Sequence, residues 1–177
     1  YYSWADWHHP DYMAGQRGND AGHRWFIHYI HGHIRELMTK YGKIDILWYD
    51  GPWPYDAEGW KAERINREVR ELQPHIIIND RSLLPEDFDT PEQHVRPSDR
   101  PWEACMTMCD NWGYHAGDRA YKTPASMVKT LVQCCHGGGN LLLNVGPKPD
   151  GTFPEEATER LLEIGRWMKA NGDSIYG

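Results

Sequence analysis

Apolar positions along the chain alternate between two spacings. Over residues 21–41, Ile27, Ile30, Ile34, Leu37 and Met38 recur every three or four positions, which predicts an amphipathic helix stopped by Gly42. Residues 43–49 carry Ile44, Ile46, Leu47 and Trp48 in a short β-rich run that Gly51-Pro52-Trp53-Pro54 breaks. Trp60, Ile65, Val69 and Leu72 mark a second helix ended by Pro74. Ile76-Ile77-Ile78 then reads as a strand buried on both faces of a parallel sheet. Residues 102–108 form a further strand. Thr123-Pro124 caps and opens a helix that runs to Cys135 and ends at Gly137-Gly138-Gly139. Leu141-Leu142-Leu143 is the next strand, and Pro154 opens a last helix with Leu161, Ile164 and Met168 on one face. Tyr1-Tyr2-Ser3 reads as the end of one strand, and Ser174-Ile175-Tyr176 as the beginning of another.

Strands separated mostly by helices predict βα units around a parallel sheet. A doubly wound sheet and a barrel both satisfy that pattern. No G-x-G-x-x-G follows any strand, which removes the main support for a dinucleotide-binding sheet. Polar and aromatic residues gather just after the strands, where a barrel enzyme carries its site. The predicted fold is α/β, a parallel (β/α)8 TIM-like barrel. Such a barrel needs about 250 residues, so residues 1–177 are expected to be a single domain, a fragment covering the later strands.

Composition excludes several partners. With 19 Lys and Arg against 26 Asp and Glu, the net charge of −7 counts against nucleic acid, which wants clustered cations. No apolar run approaches the ~20 residues of a membrane span. Cys105, Cys109, Cys134 and Cys135 form no C-x-x-C pair and read as free thiols. His28 and His31 share a helix face without a carboxylate to complete a ligand set, so no metal is expected. Nine Trp and ten Tyr against three Phe supply flat rings with polar handles, suited to sugars and equally to packing.

The candidate chemistry lies in carboxylates at strand ends. Asp50 closes its strand immediately before a Gly-Pro turn, a position that points into a barrel's mouth or simply caps a loop. Asp45 alternates away from it. After the next strand comes Arg81, whose fork of donors suits a hydroxyl or ring oxygen, or a pairing with Asp80. The loop beyond carries Asp87, Asp89 and Glu92, and Glu103 stands beside Trp102 on the following strand. Two carboxylates on one rim suit glycosidic bond cleavage, one attacking the anomeric carbon and one protonating the departing oxygen. The second needs a raised pKa, which partial burial against aromatic walls supplies. That pattern names no sugar.

The ordered set of motifs resembles glycoside hydrolase family 29, the α-L-fucosidases, over essentially the whole chain. It begins with Tyr1-Tyr2-Ser3 and Ala5-Asp6-Trp7 and runs through residues 41–51 to Asn79-Asp80-Arg81, Thr90-Pro91-Glu92 and Trp102-Glu103. Residues 110–114 follow, and the most specific stretch is residues 137–147 with Asp150-Gly151. The resemblance implies Asp50 as nucleophile and Glu92 as general acid/base, with Glu103 as runner-up. Tyr1, Trp48, Arg81 and Trp102 are implied as substrate contacts, and Trp112 and Tyr114 as further lining, whereas Asn144 and Gly146-Pro147 read as architecture. It further implies an exo-acting, retaining double displacement on fucosylated oligosaccharides or glycoconjugates, with carboxyl groups about 5–5.5 Å apart. No cofactor is implied, and the family's setting is secreted, periplasmic or lysosomal.

Histidines that grip fucose hydroxyls on earlier strands of the family, and its C-terminal β-sandwich, are not matched by this sequence. The 177 residues alone are therefore expected to be inactive. One alternative is a catalytically inactive, lectin-like fucose-binding barrel, against which the intact Asp50 and Glu92 argue. Another is a metal-dependent barrel hydrolase, against which the scattered histidines argue.

Overall fold

The computed structural model describes residues 1–177. The chain divides into two compact units, Tyr1–Asp89 and Thr90–Gly177. It is an α/β structure whose strands pair in parallel, as the hydrophobic pattern predicts. The strands form three separate two-stranded sheets, and no closed barrel is present within the 177 residues.

In the first unit, β1 (Tyr2–Ser3) pairs with β3 (Tyr49–Asp50), and β2 (Ile46–Leu47) pairs with β4 (Ile77–Ile78). Trp48 alone separates β2 from β3. Residues 46–50 are therefore one central run whose two halves bond different neighbours. Helix α1 (Asp20–Lys40) begins at Asn19, whose side chain accepts the Gly22 N–H at 3.0 Å, and the chain leaves it through Gly42 at φ +80°. It buries Ile27, Ile30, Ile34 and Met38 of the predicted stripe, leaves Leu37 half-buried, and buries Phe26 and His31 besides. Trp4 stacks on Tyr49 and on Trp60, with ring centroids 4.5 and 5.2 Å apart, at the centre of this core.

The predicted second helix is two helices, α2 (Ala57–Trp60) and α3 (Ala62–Leu72), because Lys61 takes the left-handed conformation at φ +54°. Trp60 thus ends one helix instead of opening the other. The strand expected to be buried on both faces is buried on one: Ile76 and Ile78 are covered, but Ile77 is 42% exposed. Its register partner Ile46 is 48% exposed on the same face.

In the second unit, β5 (Glu103–Thr107) pairs with β6 (Asn140–Asn144) over five residue pairs. The crossover between them includes α4 (Pro124–His136), where Thr123 accepts the Ser126 N–H and Pro124 stands in the first turn, as predicted. On the other edge of β5, the Cys105 N–H donates to the Pro91 carbonyl, and the Gln93 N–H donates to the Cys105 carbonyl. Residues 91–93 thereby run parallel to β5, with Glu92 level with Cys105. Ala104 and Met106 pack on Cys134 of α4. Helix α5 (Glu155–Asn171) packs Ala157, Leu161 and Ile164 near Met108 and Met127.

The strand expected at residues 174–176 is instead a turn of helix, α6 (Asp173–Tyr176). Gly172 stays right-handed and its carbonyl accepts the N–H groups of Ile175 and Tyr176, so the chain never extends. All four cysteines are free thiols, with Cys105 and Cys134 buried.

Candidate active site

Four of the expected site residues meet in the first unit: Tyr1 before β1, Trp48 between β2 and β3, Asp50 at the end of β3 and Arg81 on the turn after β4. Asp50 follows Tyr49, whose backbone is gripped on both sides by one buried side chain. Asn79 accepts the Tyr49 N–H at 2.8 Å and donates to the Tyr49 carbonyl at 2.9 Å. Gly51, at φ +62°, then turns the chain under the β1 loop, where a side-chain carbon would meet the Ser3 hydroxyl at 3.0 Å. Fixed donors on one side and a turn reserved for glycine on the other set where the carboxylate points.

Both oxygens of Asp50 are held. The Tyr1 hydroxyl donates to Oδ2, and Arg81 donates to Oδ1 at 2.7 Å. Arg81 stands on the 3-10 turn 80–82 after β4, and the Trp4 indole N–H fixes that turn by donating to the Arg81 carbonyl at 3.1 Å. The Trp48 ring completes the group. Tyr1 stacks on it at 5.7 Å and 19°, and the Arg81 guanidinium lies 4.7 Å from its centroid. Asp50, Tyr1, Trp48 and Arg81 thus form one mutually contacting set, which no single motif in the sequence displays. A guanidinium and a phenol on one carboxylate orient it and leave an aromatic wall beside it.

A cavity of about 510 Å³ opens over Asp50, lined by residues that include Tyr1, Asp6, Trp7, His8 and Trp53. The two loops that frame it are tied down by side chains. Asp6 accepts the backbone N–H groups of His8 and His9 and the Tyr29 hydroxyl. The Tyr12 hydroxyl donates to the Trp53 carbonyl at 2.8 Å, Gln16 to Pro54, and the Trp60 indole to Pro52. Burial raises the Tyr12 pKa. Asn79 and Tyr12 were not singled out from sequence, although an Asn directly after three β-branched residues is the signal that a polar side chain ends that strand.

Asp45 lies away from this group, exposed and paired with Lys43, which lowers its pKa. Asp87 caps β4 by accepting the Ile78 N–H at 2.7 Å and pairs with Arg70. His31 is buried between helices. Arg64 donates to Nδ1 at 3.0 Å, so the proton sits on Nε2, which donates to the Trp60 carbonyl at 2.9 Å. Burial foremost, with Arg64 and Arg35 adding to it, lowers its pKa to about 4.

The other expected residues belong to the second unit. Alternation along β5 turns Ala104 and Met106 toward α4, which leaves Glu103, Cys105 and Thr107 on the opposite face. Glu103 starts that strand, and Glu92, exposed, sits level with Cys105, two residues further along. Trp102, expected from the resemblance as a substrate contact, is 2% exposed in this structure and donates its indole N–H to the Gly137 carbonyl at 3.2 Å. A Cβ would stand 2.1 Å from the Trp102 ring at Gly139 and 2.9 Å at Gly137, so these two glycines leave the space this indole fills. Trp112 and Tyr114 are about two-fifths exposed after β5, and the Asn144 amide donates to the Trp112 carbonyl at 2.6 Å. No group of three or more His, Cys, Asp or Glu is arranged to hold a metal.

Parallel strand pairs joined through helices, with an oriented carboxylate at the end of β3 and aromatic rings beside it, define an α/β protein. Its family is specific. The α-L-fucosidase family profile matches residues 1–173, and the chain belongs to that family. It is 40% identical to α-L-fucosidase isoenzyme 1 from Paenibacillus thiaminolyticus, with a TM-score of 0.86 over 99% of this chain and 49% of that one. It is 28% identical, with a TM-score of 0.87, to a Bacteroides thetaiotaomicron α-L-fucosidase trapped as a covalent intermediate with 2-fluoro-fucosyl fluoride, covering 99% and 47%. It is also 31% identical to an α-L-fucosidase of Dictyostelium discoideum over its whole length, spanning 41% of that relative.

Proposed function

We propose that this chain supplies part of the catalytic (β/α)8 barrel of a retaining, exo-acting α-L-fucosidase that removes terminal α-L-fucose from fucosylated glycans. In this reading residues 1–177 belong to one catalytic domain. The exposed register partners Ile46 and Ile77 support it, because branched side chains of that kind fill a barrel interior.

The observation that carries the proposal is Asp50, held on both oxygens at the end of its strand beside Trp48. An Asp50 oxygen attacks the anomeric carbon as the bond to the leaving oxygen breaks, and Glu92 gives that oxygen its proton. Water then attacks the same carbon, Glu92 takes the water's proton, and the ester to Asp50 breaks with net retention. Arg81, only 15% exposed in its side chain, stays on Oδ1, while the exposed Tyr1 is the partner that yields to the sugar. The covalent intermediate trapped in the Bacteroides relative supports this two-step course. Trp48 offers the apolar face that favours a methyl over a hydroxymethyl group, worth about 1–3 kcal/mol. Glu92 is preferred to Glu103 because it lies further toward the C-terminal end of β5, the direction in which barrel sites open.

The test is product stereochemistry and leaving-group dependence in the intact protein that carries this chain. An aryl α-L-fucoside should release α-L-fucose first. Glu92→Gln should lose far more activity on poor leaving groups than on nitrophenol, about 10²–10⁴-fold, and Glu103→Gln should not. Release of the β-anomer, or the reverse ranking of the two variants, contradicts the assignment.

A further inference from the structure

Two indoles near Asp50 are unaccounted for by fucose binding. Trp7 is 73% exposed and Trp53 59% exposed, and neither stacks on another ring of its unit. Both line the cavity that contains Asp50, Trp7 from the loop after β1 and Trp53 from the loop after β3. Trp53 lies close to the nucleophile's own turn, its ring 3.4 Å from where a Gly51 side chain would begin. Large exposed indoles on loose loops would fold onto the nearest apolar surface. Here the backbone is pinned instead, by Tyr12, Gln16 and Trp60 around Trp53 and by Asp6 beside Trp7. Tyr12 ties the loop that carries Trp53 to the segment after Trp7 by donating to the Trp53 carbonyl at 2.8 Å. Rigid loops that present bare aromatic faces beside a reactive carboxylate are arranged to receive a ligand.

Resting on the fucosidase reading above, we infer that Trp7 and Trp53 form the subsite for the leaving group, and that it takes a neutral pyranose. A pyranose has one apolar C–H face to lay on an indole and hydroxyls at its edge for His8 and solvent. The carboxylates of Asp6 and Asp50 on the same wall count against a sulfated or otherwise anionic neighbour. Binding energy gathered at this subsite is used at the bond that breaks, so its loss should appear in turnover of glycosidic substrates.

The experiment compares two substrates on the intact protein: a fucosyl-(1→2)-galactose disaccharide and α-L-fucosyl fluoride, which has no leaving-group ring. The readout is the ratio of their kcat/KM values. Trp7→Ala and Trp53→Ala should each lower that ratio about 10- to 100-fold. Tyr12→Phe, a positioning change, should lower it less and chiefly through a higher KM for the disaccharide. Trp25→Ala, at an exposed indole on α1 outside the cavity, should leave it unchanged. Fluoride turnover shows that each variant is folded. An unchanged ratio in both tryptophan variants overturns this inference alone, and a wild-type protein inert on the fluoride overturns the reaction and the subsite together.

Discussion

In residues 1–89 Trp48 keeps a half-exposed ring between Tyr1 and Arg81, whereas in residues 90–177 Trp102 is sealed against Gly137 and Gly139. The two residues look alike in sequence, Trp48 two positions before Asp50 and Trp102 directly before Glu103. What separates them is the backbone opposite. Trp48 faces long polar side chains that a ligand can displace or join. Trp102 faces glycines that leave an indole-shaped recess and no room for anything else. An aromatic residue near a site is thus assigned by what lies across from it.

That contrast can be broken most forcefully at Trp102. Trp102→Ala should destabilise the protein by about 3–5 kcal/mol, read from denaturant unfolding, with KM for fucosides unchanged at temperatures where the variant stays folded. Trp48→Ala should do the opposite, lowering kcat/KM about 10- to 200-fold with a small change in stability. A stability loss at Trp48 equal to that at Trp102 would collapse the distinction.

The first unit also carries a pH liability inside its helix packing. His31 has a folded pKa of about 4 against an unfolded value near 6.5. Between those values the unfolded chain binds the extra proton, so stability is fully present above about pH 6.5 and is lost as pH falls toward 4. The loss is on the order of 3 kcal/mol. A His31→Gln variant should flatten that stretch of the stability curve, and an unchanged slope would locate the acid sensitivity elsewhere.

The smallest expected effect is at Tyr49, whose buried hydroxyl has no hydrogen-bond partner and whose pKa burial raises well above the ordinary phenol. Tyr49→Phe should therefore cost nothing and gain up to about 1 kcal/mol. A clear loss would mean that the hydroxyl is bonded in solution.

The elements were legible wherever periodicity and punctuation agreed. Asn19, Gly42, Thr123 and Pro124 mark helix ends by chemistry that acts within a few residues. The break at Lys61 was not, because a lysine at φ +54° carries no local signal of the kind a glycine gives. The strand expected at 174–176 failed for a related reason: two β-forming side chains, Ile175 and Tyr176, do not outweigh a helical turn that follows directly on α5. At the site, Asp50 and Arg81 were legible as strand-end residues, and motif order implied the roles proposed for them. Asn79, Tyr12 and the recess for Trp102 were not, since each depends on which backbone a distant segment presents.

The most direct measurement is covalent trapping of the intact protein with 2-fluoro-fucosyl fluoride, followed by digestion and mass spectrometry of the labelled peptide. A single fucosyl label on the peptide containing Asp50, absent in Asp50→Gly, is the predicted result. A label on another carboxylate, or hydrolysis with no label under conditions where the intermediate accumulates, would contradict it.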